Sequence, residues 1–177
     1  KKFNFSKIKK EFNITDKKPL VLFTFHPLIL KNKKFNKELD ETFIALKMLY
    51  KMKYQIFITY PNFDPGYKNI IKKIIFFKKK NKNTKIYKHL GIENYHKLLY
   101  FIGKSKNGVC VGNSSSGIKE AVIFNCPSVN IGDRQKSRLK PNNVINVRPV
   151  RREIIRQIKA NLKIKKKKLN NPYKLTN

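Results

Sequence analysis

The chain has 177 residues, 42 Lys and Arg against 10 Asp and Glu, a formal net charge of +32 and 40% hydrophobic residues. That is enough apolar material for the core of one ordinary domain, which excludes a tail or a linker. No run approaches the roughly 18 apolar residues a membrane span needs, the first residues are charged rather than signal-like, and two cysteines without metal-ligand spacing exclude a disulfide scaffold and a zinc site. A cytoplasmic protein is expected, with no membrane partner and no metal or other cofactor. The charge alone points to nucleic acid, but composition offers a duller cause. Lys, Asn and Ile are abundant, Ala occurs three times and Trp never, as in AT-rich genomes. The lysines are spread over predicted helices, and the runs at 78–80 and 165–168 read as solvated helix ends. Non-specific, salt-sensitive attraction to polyanions is expected, and no specific nucleic-acid partner.

In chain order, residues 1–18 read as a polar, Lys-rich leader that packs loosely. Residues 20–25 are a continuous apolar run, a strand buried on both faces, which runs into Phe25-His26-Pro27. A helical pattern follows at 37–53, with Phe43, Leu46, Leu49 and Tyr50 on one stripe. The next strand, 55–59, leads into the turn Tyr60-Pro61-Asn62-Phe63-Asp64-Pro65-Gly66, and a helix follows at 67–80. Strand 84–87 ends before Lys88-His89-Leu90 and a helix at 94–103, and strand 108–111 leads into a helix at 115–124. Strands at 128–131 and 143–147 and a helix at 150–163 complete a domain spanning 19–164, and 165–177 is a Lys/Asn-rich tail. The alternation predicts an α/β fold with a doubly wound, mostly parallel Rossmann-like sheet. Ligands of such sheets lie beyond the carboxyl ends of the strands, where His26, Asn62, His89 and Ser114 all fall.

The most informative stretch is Val109-Cys110-Val111-Gly112-Asn113-Ser114-Ser115-Ser116-Gly117, continuing to Glu120. A strand breaks at glycine into small hydroxylic residues and then into a helix. The first N–H groups of that helix have no partner within it, so an anion such as phosphate can reach them. Asn113 or Ser114 can cap the helix, and Glu120 lies where a carboxylate could accept bonds from a sugar diol. A plain Ser-rich helix cap without a ligand is the alternative. Further on, Gly132-Asp133-Arg134-Gln135 follows a strand, where the planar guanidinium of Arg134 can clamp phosphate or sugar oxygens; Arg138 is a weaker copy.

Taken together, these blocks resemble the C-terminal half of the hydrolysing UDP-N-acetylglucosamine 2-epimerases, including the sialic-acid-pathway type. The Gly-Asn-Ser-Ser segment with its following Glu, and the Arg-Gln pair after a strand ending in Gly, stand at that family's separations, and the likeness covers about 19–147. The resemblance implies one half of a two-domain GT-B-type fold that binds the UDP of a nucleotide sugar through Ser114, Ser115, Glu120, Arg134 and Gln135. It brings Asn62 to the nucleotide sugar, the Leu90 peptide to the uracil and His26 close to the diphosphate. There an imidazolium could stabilise departing UDP or pass a proton; a histidine simply bonded at a strand end is the alternative. Asp64 is expected to hold its loop, and His96 to be a surface helix residue.

The reaction implied is inversion at C2 with loss of UDP, by elimination to a glycal-like intermediate and addition of water. The family's carboxylates for that step lie in its N-terminal domain. Here Glu11 and Asp16 sit in the short leader, and the chain opens at Lys1, which points to a piece of a longer polypeptide. The partners implied are the UDP-sugar substrate, the missing N-terminal domain and, for the full-length protein, further copies in a homo-oligomer. A glycosyltransferase on the same domain plan is the rival, and a non-catalytic basic binding module the second.

Overall fold

The computed structural model describes residues 3–28, 33–162 and 170–173. Six strands form one parallel sheet: β1 (Leu20–Thr24), β2 (Gln55–Thr59), β3 (Lys85–Tyr87), β4 (Gly108–Gly112), β5 (Ser128–Ile131) and β6 (Val144–Val147). They lie in the order β3-β2-β1-β4-β5-β6. The helices are α1 (Phe5–Glu11), α2 (Lys33–Lys51), α3 (Tyr67–Lys80), α4 (Gly91–Ser105), α5 (Ser116–Lys119) and α6 (Arg151–Asn161), with a 3₁₀ turn at Ala121–Phe124. The chain winds outward from β1 to β3, then α4 carries it back to lay β4 beside β1. The order therefore reverses between β1 and β4, the place where doubly wound sheets open a crevice for ligands.

Strand β1 is central because all five of its residues are apolar or small and buried. Its register with β4 pairs Leu20 with Gly108 and Thr24 with Gly112. Successive side chains point to opposite faces. Val21 and Phe23 join Leu39, Leu46 and Leu49 of α2, Ile74 of α3 and Ile158 of α6 in one core. Leu20, Leu22 and Cys110 join Leu98 and Phe101 of α4 in the other. Both cysteines are buried and unpaired, and burial pushes their thiols up, that of Cys110 to about 11, which suits packing rather than reactivity.

Two local expectations are corrected. Residues 3–18 are not a loose leader. Asn4 caps α1 by accepting from the Lys7 amide at 2.9 Å, Phe5 stacks on Phe101 with centroids 4.6 Å apart, and Ile8, Phe12 and Ile14 are buried in the second core. The lysines between them face outward and hide the apolar spacing. The helix expected at 115–124 is broken into the four-residue α5 and the 3₁₀ turn. Ser and Gly open it, Val122 and Ile123 are β-branched, and Asn125 at φ 53° ends it so that Pro127 can lead into β5. Most of the tail lies outside the described residues. Tyr173 is described, and its hydroxyl donates to the Leu139 carbonyl at 2.6 Å. Among the described residues no helix is long and apolar enough to cross a membrane.

Because Ile8 is 2% exposed within the second core, Ile8→Ala should cost about 2–4 kcal/mol. Urea unfolding of the two chains measures this, and a difference under about 0.5 kcal/mol, the size of a surface substitution, would mean that α1 does not belong to the cooperative unit.

Candidate functional site

The site is built where β1 and β4 end. Thr24 and Thr59 join the ends of β1 and β2 through their hydroxyls, 2.5 Å apart. Gly112 lies so close to β1 that a Cβ there would stand 1.8 Å from the Thr24 carbonyl oxygen, and its φ is +139°. Only glycine fits. The next residue, Asn113, is 2% exposed and spans the gap with both ends of its amide. Its Oδ1 accepts from the His26 backbone N–H at 2.7 Å and its Nδ2 donates to the His26 carbonyl at 2.9 Å. Asn113 is thus a cross-strand tie, and of the two caps the sequence offered it is Ser114 whose Oγ accepts from the backbone N–H of Ser116, at 3.4 Å. Ser115 is the N-cap position and makes no side-chain cap bond.

The Asn113 carbonyl gathers the next layer. Gln135 Nε2 donates to it at 3.0 Å and Arg134 Nη1 at 3.3 Å, which brings the loop after β5 onto the serine turn. Arg138 Nε donates to Gln135 Oε1 at 2.5 Å, so Arg138 orients the buried Gln135 amide. Arg134 also lies 3.7 Å from the Asp64 carboxylate, across the β2–α3 turn. Asp64 therefore holds its loop, as expected, by way of Arg134. Within the turn, no described residue accepts from the backbone N–H of Ser114 or Ser115. Both donors remain available to an anion.

His26 is 5% exposed, and its Nδ1 accepts from the Asn62 backbone N–H at 3.1 Å. A nitrogen that accepts carries no proton, so the proton of the neutral ring is on Nε2. Burial first and the Arg134 charge second lower its pKa from 6.5 to about 4, against a smaller opposing pull from Asp64. The imidazolium, which the sequence reading allowed as one form of the ring, is thus not favoured near pH 7. The ring offers a neutral N–H donor instead.

His26, Asn62, Ser114, Arg134 and Gln135 are thus drawn together by bonds. Arg134 and Gln135 line a cleft of about 1030 Å³ that Asp64, Glu38, Lys119 and Tyr173 also border. Two expected residues stand apart. Leu90 is the N-cap residue of α4 and packs its side chain on the second core. Glu120 ends α5, where its carboxylate meets His96 Nε2 at 2.8 Å. His96 is consequently half-buried and paired, not a plain surface residue. Glu11 and Asp16 lie at the opposite edge of the sheet. Asp16 accepts through its carbonyl from Asn107, just before β4, and Glu11 pairs with Lys97. Sequence reasoning missed Glu38, a cleft carboxylate raised by burial and by Asp133. It also missed the Asn113 tie, whose one signal is a polar residue directly after the glycine of an apolar strand.

A doubly wound parallel sheet whose strand order reverses between β1 and β4 defines a Rossmann-like domain. The sequence profile of the UDP-N-acetylglucosamine 2-epimerase family matches residues 2–177, and the chain belongs to that family. It is 36% identical over 131 residues to the GDP/UDP-N,N'-diacetylbacillosamine 2-epimerase (hydrolyzing) of Campylobacter jejuni, covering 73% of this chain and 32% of that protein. It is 30% identical over 160 residues to the UDP-N,N'-diacetylbacillosamine 2-epimerase (hydrolyzing) of Legionella pneumophila, covering 88% and 39%. The chain thus spans about a third of the length of these relatives. Its fold superposes on the Methanocaldococcus jannaschii UDP-GlcNAc 2-epimerase, solved in complex with UDP-GlcNAc and UDP, with TM-score 0.68 at 20% identity, over 96% of this chain and 45% of that one. The Escherichia coli ADP-heptose heptosyltransferase II shares the fold with TM-score 0.60 at 13% identity, over 89% and 50%. At these identities both likenesses are of architecture alone.

The His26 shift carries a sign. The folded-state pKa lies below the unfolded one, so as pH falls below about 6.5 the unfolded chain takes up the proton first. The stabilisation is complete above that value and is lost toward pH 4, amounting to up to about 3 kcal/mol. His26→Gln, which keeps an acceptor for Asn62, should flatten this part of the stability profile. Unfolding measured across that window in both chains checks it, and identical profiles would refute it.

Proposed function

We propose that this chain is the UDP-binding half of a hydrolysing UDP-N-acetylglucosamine 2-epimerase, and that it assists UDP departure during inversion at C2. The observation that carries this reading is the convergence of the His26 backbone, Arg134 and Gln135 on Asn113, directly before the Ser114 and Ser115 amides, at the switch point of a sheet from this family. In this reading the serine turn and Arg134 hold the diphosphate, with Gln135 fixing the turn that presents them. Asn62 approaches the sugar, the Leu90 peptide borders the uracil, and Glu120 accepts from the ribose diol.

His26 acts on the leaving group. Its Nε2–H donates to a diphosphate oxygen, and negative charge building there offsets the Arg134 field, which after burial is the second cause of the ring's neutrality. The ring becomes more basic as the C1–O bond breaks, which strengthens the hydrogen bond in the transition state. A base must remove the C2 proton and water must add to the glycal-like intermediate. The carboxylates for those steps belong to a preceding domain, in keeping with the share of its relatives this chain spans. The hydrolysing reaction and an acetamido sugar are favoured by the names those relatives carry.

The isolated chain should bind UDP more tightly than uridine, because the extra donors meet only the phosphates. Arg134→Ala should weaken UDP by about 1.5–3 kcal/mol, the scale of hydrogen bonds to charged groups, and leave uridine unchanged. Ser114→Ala with Ser115→Ala should weaken UDP without altering affinity for DNA, which should vanish as salt rises. Calorimetry at two ionic strengths measures all of these. Equal affinity for UDP and uridine at moderate salt would sink the reading, as would UDP binding that fades with salt in step with DNA.

A further inference from the structure

Glu120 stands at the junction of two short helical segments. It closes the four-residue α5 and opens the 3₁₀ turn Ala121–Phe124, so no continuous helix fixes its direction. What fixes it comes from another element. His96 Nε2 lies 2.8 Å from Glu120 Oε2, and no described residue bonds the other carboxylate oxygen, Oε1. The imidazole is itself braced, its centroid 5.0 Å from the Phe124 ring at the end of the same 3₁₀ turn. Its helix, α4, is fifteen residues long and anchored by the buried Leu98, Leu99, Phe101 and Ile102, with the Tyr95 hydroxyl 3.6 Å from Cys110 Sγ of β4. A rigid helix thus clamps one oxygen of a carboxylate carried on an irregular one.

We propose that His96 is a positioning residue for ribose recognition. By engaging Oε2 it holds the Glu120 carboxylate in one rotamer, with Oε1 presented to the 2′- and 3′-hydroxyls of the nucleotide. The inference rests on the reading of Glu120 as the ribose acceptor. A carboxylate accepts through two oxygens, so one donor from the protein and one from the diol can be satisfied together. The advantage is preorganisation: the rotamer freedom of Glu120 is spent in folding and need not be lost again on binding. It also makes the ribose contact selective, since a ligand without the diol gains nothing from the clamp.

The test compares UDP with 2′,3′-dideoxyuridine diphosphate by calorimetry, in the parent chain and in His96→Leu, His96→Gln and Glu120→Gln. The parent should favour UDP. His96→Leu should weaken UDP about tenfold, equivalent to roughly 1.4 kcal/mol, and leave the dideoxy nucleotide unchanged. His96→Gln, whose amide can reach the same oxygen, should recover most of the preference. Equal losses for both nucleotides in His96→Leu, or no loss for either, would overturn the positioning role while the UDP site stands. A parent that binds both nucleotides equally would overturn the Glu120 reading instead, and a parent that binds neither would overturn the UDP site. Should His96→Leu fail to fold, His96→Gln and Glu120→Gln decide. The proposal requires the first to keep most of the preference for UDP and the second to lose it.

Discussion

The site hangs on one reciprocal amide pair. Asn113 gives and receives a hydrogen bond with the backbone of His26, which makes the ends of β1 and β4 a single unit beyond the last sheet pairing. Such a tie works only if the strands approach closely, and Gly112 against the Thr24 carbonyl provides that approach. The rest of the bonded cluster is then attached to its two halves. The His26 half carries the imidazole and, through Nδ1, the Asn62 turn. The Asn113 half carries the serine turn and collects Arg134 and Gln135 on its carbonyl. Because the tie is buried, its hydrogen bonds do not compete with water, and the loops it joins inherit the rigidity of the sheet.

Charge is handled differently inside the site and outside it. The net +32 is a property of the outer surface, where lysines end α3 and line the exposed faces of the helices. In the cleft the one partly buried guanidinium has a carboxylate across from it and an uncharged imidazole nearby. This separates two kinds of affinity. The surface attracts any polyanion from a distance, by a field that salt screens, whereas the cleft presents directed donors at fixed positions.

Much of the fold was legible in the sequence, and the reasons differ by element. Strands β1 and β4 are buried on both faces, so their apolar runs are nearly continuous and easily read. In α1 and its C-cap the same signal is present as Phe5, Ile8 and Phe12, but at low density among lysines, and only contact with Phe101 and its neighbours reveals which face matters. The serine turn was legible as a strand end. Its partner was not, because Asn113 bonds a residue 87 positions away and nothing local distinguishes that from a cap. Arg134 and Gln135 were found through spacing shared with a family. The pairing of Glu120 with His96 depends on how α4 lies across α5, which neither segment encodes alone.

The packing of α1 reaches further than its own core. Strand β3 is only three residues long and forms the outer edge of the sheet beside β2. An open edge offers unpaired amides and carbonyls to any passing strand, and is the usual route from a parallel sheet to aggregation. Here Lys85, on that edge, turns its ammonium back to the carbonyls of Phe12 and Asn13, at the close of the first helix, while lying over the Phe57 ring. The segment that looked like a charged appendage thus acts as a guard rail. It occupies the edge residue's side chain and sets Phe12 against Tyr87.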